Sequence, residues 1–159
     1  MSFVPAIAFY DLVVFVHVAA IVAAFGVTFT YPVVLPWLAR THPQAMGTAH
    51  EVQSLIGMRV IGPSSVLALA TGIYLAADRD LFSETWVTVP LTALIILIAA
   101  GPVFFVPRER EAAALARRDA DAGGGLSAEY TAKARVLGLG GAASALLVLV
   151  ALFFMVVKP

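Results

Sequence analysis

The stretch VFVHVAAIVAAFG, residues 14–26, decides how the rest of the chain is read. Twelve of its thirteen residues are apolar or glycine, and the other is His17. The apolar character runs on in both directions, over residues 7–32. A helix rises 1.5 Å per residue, so about 20 apolar residues cross a hydrocarbon core of roughly 30 Å. The stretch is therefore a membrane span with one ionisable residue inside it. No Lys or Arg precedes it, and it is far longer than the apolar part of a signal peptide, so it reads as a retained helix.

The composition agrees. Of 159 residues, 61% are hydrophobic and 13% charged, against about 45–50% and 25% in an average globular domain. Lipid is the natural solvent for such a chain. The net charge of zero gives no basic footprint for a nucleic-acid partner. With no Cys, disulfides, thiolate metal sites and thiol catalysis are excluded.

Three further spans follow, over residues 55–77, 87–106 and 136–157. None alternates with period two, so helices and not barrel strands are expected. The expected fold is an all-α bundle of four transmembrane helices, one domain over residues 1–159. Basic residues set the expected topology. Arg40, Arg108, Arg110, Arg117, Arg118, Lys133 and Arg135 fall beside the first and third loops, against Arg79 and Lys158 on the other side. Seven against two places those loops in the cytoplasm and both termini outside, in a bacterial inner membrane. Around residues 107–134 a helical hairpin should extend from the membrane. Ala-Leu-Ala-Arg favours helix, Gly123, Gly124 and Gly125 end it, and Ser127 caps the fourth helix. These mixed charges fit a solvated hairpin or a docking surface for a partner or anionic lipid.

Pro63 beside Gly62 and Pro102 beside Gly101 should kink the second and third helices. The small residues of GLGGAASA, residues 138–145, suit close helix packing and leave room for a homo-oligomer or a larger membrane complex.

Polar residues at membrane depth are the functional candidates: Asp11, His17 and Arg59, with Tyr10, Tyr31, Ser64 and Tyr74 as polar companions. Asp11 and Arg59 each lie about one turn inside a helix end. There Asp11 can be interfacial, and the Arg59 stem can snorkel. Alternatively, Arg59 is a cation aimed at a carboxylate or phosphate. His17 lies about ten residues deep, roughly 15 Å at 1.5 Å per residue, which is too deep for imidazole to snorkel. Tyr10, His17, Ala24 and Tyr31 share a helical face that should point into the bundle, with His17 level with Ser64, Ser65 and Val66, and with Ser144. Three readings follow. Neutral His17 ties helices by bonding a hydroxyl or a carbonyl freed by Pro63. Or it is an axial ligand to haem iron. Or it relays a proton or binds substrate in a translocation path. A loop zinc site from His42, His50 and Glu51 has only weak spacing in its favour. Ser64 and Ser65 have no visible triad partners.

The chain resembles an uncharacterised family of predicted four-helix bacterial integral membrane proteins. The likeness rests on His17 followed by Gly26, on GPSSVLALATGIYL (residues 62–75), on FVPRERE (residues 105–111) and on FFMVVKP (residues 153–159). More distantly it resembles the HemJ-type protoporphyrinogen oxidases and the membrane domain of CopD-type copper-resistance proteins. In the HemJ-type family the first-helix histidine holds haem b, and His17 is the matching position. That family also carries a basic residue in its third helix. The span 87–106 has none, a departure that touches the oxidase activity more than the fold. A CopD-like copper site wants several His and Met residues near the outer face, where only Met155 stands. The resemblance thus implies a haem-linked redox protein with His17 as iron ligand. The alternative is a non-enzymatic transport or binding protein, or a structural subunit, in which His17 is an interhelical hydrogen-bonding residue.

Overall fold

The computed structural model describes residues 9–159. The first two residues of the expected first span, Ile7 and Ala8, lie outside the described residues. Seven α-helices follow in chain order: α1 (Phe9–Phe25), α2 (Tyr31–Thr41), α3 (Met46–Ile56), α4 (Gly62–Asp78), α5 (Thr85–Ala100), α6 (Val106–Asp121) and α7 (Ala128–Val157). Short pitch changes join them into four long paths: Phe9–Thr41, Pro43–Asp78, Thr85–Asp121 and Ala128–Val157. Each is long and apolar enough to cross a membrane. The chain is an all-helical, four-span integral membrane protein.

One correction concerns the segment after the first span, which reads as a loop. It is helical almost throughout: α2 runs to Thr41, a 3-10 turn covers Pro43–Ala45, and α3 starts at Met46. Pro32 and Pro36 do not prevent this. Pro32 sits in the first turn of α2, where no backbone donor is needed. The expected hairpin forms, with α6 ending at Asp121 and Ser127 capping α7 by accepting from the Tyr130 N–H at 3.2 Å.

The pitch changes have local causes. At Gly57–Ile61 the helix widens into a π turn, and the Gly62 N–H bonds the Gly57 carbonyl five residues back. Pro63 follows directly, lacks an N–H and would crowd the Arg59 carbonyl in a regular turn. Gly101–Phe105 repeats the pattern, with the Val106 N–H bonded to Gly101 and Pro107 following directly, while Pro102 lies within the widened turn. At Gly26–Thr30 the first path tightens to 3-10, and the Thr28 hydroxyl donates to the Phe25 carbonyl at 2.6 Å. The expected kinks at Pro63 and Pro102 are thus single widened turns.

These turns fall at one level. His17 meets Ala68, so residues 26–30, which are 9–13 positions along, match positions 55–59 of the antiparallel second path. Phe104, in the third path's π turn, lies against Gly140 of α7 so closely that a Cβ there would overlap its ring. The level divides two cores. The membrane tier packs Ala20, Ala24, Phe25, Ala68 and Leu94 where α1, α4 and α5 meet. The polar tier packs Met46, Ala112, Ala116, Tyr130 and Leu137 where α3, α6 and α7 meet. Outside both, large apolar side chains such as Phe15, Val103 and Leu146 are more than 60% exposed, which suits a lipid-facing surface.

Candidate functional site

The expected stripe on the first helix faces the bundle. His17 is only 8% exposed, Ala20 and Ala24 are buried with it, and α4 covers them. His17 Nδ1 stands 2.9 Å from the Ala68 carbonyl oxygen and 3.0 Å from Thr71 Oγ1. A carbonyl can only accept, so Nδ1 carries the ring proton. The Thr71 hydroxyl spends its own hydrogen on the Leu67 carbonyl, at 2.7 Å, and so accepts from the imidazole. The ring lies on Gly72, where an added Cβ would stand 3.0 Å from Cε1. Glycine is what allows this approach. Nε2 has no hydrogen-bond partner among the described residues.

The partners differ from the expected ones by about one turn. Ser64 is not bonded to His17, and the accepting carbonyl belongs to Ala68, not to a residue freed by Pro63.

The other candidates do not converge on His17. Asp11 and Arg59 are exposed. Tyr10 lies under the Arg79 guanidinium, 4.3 Å from ring centroid to Cζ, and Tyr74 meets Phe9 edge-on at 5.8 Å. These pairs lie where α1 begins and α4 ends. The Tyr31 hydroxyl is buried with no hydrogen-bond partner among the described residues, well removed in sequence from His17.

A second polar centre lies in the polar tier, and its sequence gave no local signal. His50 of α3 is 3% exposed, Glu109 of α6 is 6% and Tyr130 of α7 is 3%. His50 Nδ1 donates to Glu109 Oε2 at 2.5 Å, and His50 Nε2 stands 3.0 Å from the Tyr130 hydroxyl. The carboxylate therefore fixes the tautomer. The proton sits on Nδ1, and a neutral ring leaves Nε2 to accept from Tyr130. The chain Tyr130–His50–Glu109 links three of the four long paths in one buried line. Its members are separated by 59 and 80 residues, so spacing could not reveal it.

The zinc set does not assemble. Glu51 is paired with Arg117, His50 is held by Glu109 and Tyr130, and His42 stacks edge-on with Trp37. Among the described residues no group of three or more His, Cys, Asp and Glu side chains could hold a metal ion.

A groove of about 580 Å³ opens between α3 and α6. His50 and Glu109 line its floor, Val52, Leu55 and Met58 one wall, and Arg110 and Arg117 its rim. Further along α6, Asp119 is buried and accepts from the Ser127 N–H at 2.8 Å. Its hydrogen bonds with Ser127, and after them the Arg118 guanidinium, hold its carboxyl below the ordinary range.

Four apolar helical paths with buried polar links define a multi-pass integral membrane protein. The chain belongs to the family described as predicted integral membrane protein (DUF2269), whose model matches residues 11–159. No curated protein and no solved structure matches it.

Proposed function

We propose that this chain is a non-enzymatic membrane protein, a binding component or a structural subunit of a membrane assembly, in which His17 ties the first helix to the second. The observation that carries this is the single Nδ1–H shared between the Ala68 carbonyl and the Thr71 hydroxyl, with the ring seated on Gly72. An imidazole used in this way satisfies its own donor and joins two helices where water is absent. An inner bacterial membrane, with both termini outside, is the setting that the basic-residue asymmetry supports.

A second reading, haem b held by His17, has one observation in its favour. Histidines that ligate metals commonly donate their other ring nitrogen to a carbonyl, and His17 does so while Nε2 stays unshared. The space fits less well than the donor. Neither the α3–α6 groove nor the shallower one beside Thr92 and Leu147 reaches His17.

The test is the visible spectrum of the protein purified in detergent from haem-replete cells, oxidised and reduced. A colourless protein in which His17→Ala lowers only thermal stability supports the tie. A Soret band that disappears in His17→Ala would overturn it in favour of haem.

A further inference from the structure

We infer that the groove between α3 and α6 binds an anionic phospholipid, its phosphate at Arg110 and its acyl chain along Val52, Leu55 and Met58. This is independent of the role of His17, which lies in the other tier.

The groove is graded along its length. Val52, Leu55 and Met58 follow each other at three-residue spacing, on one face of α3 and into the π turn. They are about half exposed, at 48%, 53% and 48%. Ala113 and Ala114 of α6 line the groove at the level of Gly47, further from the membrane tier than Arg110. Met58 lies at the level of the pitch changes, where the apolar surface of the membrane tier begins. An acyl chain can therefore pass from the bilayer into the groove without crossing water.

Away from the membrane tier the groove becomes cationic and hydroxylated. Arg110 lines it and has no carboxylate partner among the described residues. Arg117 lines it too, bound to Glu51. Thr48 also lines it, with no side-chain hydrogen bond among the described residues. Its two carboxylates are both already engaged, Glu51 by Arg117 and Glu109 by His50. Among the described residues that line the groove, Arg110 is thus the charged side chain with no hydrogen-bonded partner, and its guanidinium suits the planar, bidentate capture of a phosphate. Arg108 does not compete, because it turns back over Phe104 and donates to that residue's carbonyl. Basic pockets between helices at a membrane face are established sites for lipid head groups. The volume of about 580 Å³ holds a glycerophosphate head and the first part of a chain.

The experiment measures lipid retention by native mass spectrometry and lipid-dependent thermal shift. The full chain is held in neutral detergent with phosphatidylglycerol, with phosphatidylcholine of the same chains, or with glycerol phosphate alone. The site predicts one retained phosphatidylglycerol, at least tenfold preferred over phosphatidylcholine. Arg110→Gln should abolish the preference. Ala114→Trp, at an exposed helical position, should fill the groove and prevent retention while every charge stays in place. Equal binding of both lipids, or a preference that survives both substitutions, overturns the proposal. Glycerol phosphate binding as tightly as the lipid also overturns it, since the chain would then contribute nothing.

Discussion

At the residue scale, the contact between His17 and Gly72 can be tested by the sign of a substitution. Alanine at Gly72 should improve helix propensity by about 0.5–1 kcal/mol, since glycine in a helix interior is costly. In the native protein that gain must be set against a Cβ standing 3.0 Å from His17 Cε1, which forces the ring off the Ala68 carbonyl. A hydrogen bond between membrane helices contributes roughly 0.6–2 kcal/mol. Gly72→Ala should therefore lower stability by about 1 kcal/mol in the native background and raise it slightly in His17→Ala. The measurement is a double-mutant cycle on unfolding in detergent. Additive effects would show that the ring does not rest on Gly72. His17 itself was legible, because depth and face follow from counting residues. Its partners were not, because counting residues from helix ends places two facing helices only to within about a turn.

At the scale of elements, the turn between α6 and α7 is built from backbone chemistry that a sequence displays well. Gly123 takes the left-handed conformation, φ 68°, as the residue after a helix end often must. Ser127 caps α7, and Asp119 reaches across to the Ser127 N–H. The Asp119 link adds a pH dependence. Its carboxyl is held below the ordinary value, first by the Ser127 hydrogen bonds and then by Arg118. A carboxylate with a lowered folded value stabilises the fold above its unfolded pKa, near 4. That contribution fades as pH falls through the lower folded value. Hydrogen exchange at the Ser127 amide should be slow at pH 6 and speed up once pH drops below about 4, beyond the intrinsic pH trend. In Asp119→Asn the acid-dependent part should vanish. An unchanged profile would mean that Asp119 does not hold this turn. By contrast, α2 and α3 were illegible as helices. Two prolines and the Thr41–His42–Pro43 break suggest a loop, yet Pro32 falls in a first turn, and the packing of Leu35, Leu38 and Ala39 against the polar-tier core carries the chain through Pro36.

For the whole molecule, four long paths change pitch or carry glycine at one level, with a separate core on each side. The membrane tier has small residues at its centre, so its helices hold together by close approach and by the His17 bond. The polar tier has a buried hydrogen-bonded chain instead, with Glu109 under His50 and Tyr130. If the tiers are separable, damage to one should leave the other intact. Glu109→Ala strands a buried imidazole N–H and should cost the polar tier about 2–3 kcal/mol, the penalty for leaving a buried donor unsatisfied. Glu109→Gln keeps an acceptor for the Nδ1–H and should cost about 1–2 kcal/mol. Tyr130→Phe removes one hydrogen bond and should cost about 1 kcal/mol. Hydrogen exchange read by segment checks both the order and the location. Protection should fall in α3, α6 and the start of α7, in the order Ala, Gln, Phe, while α1 and α4 keep theirs in detergent. Loss of protection in α1 and α4 to the same degree would show that the molecule unfolds as a single unit and that the level of pitch changes is no boundary.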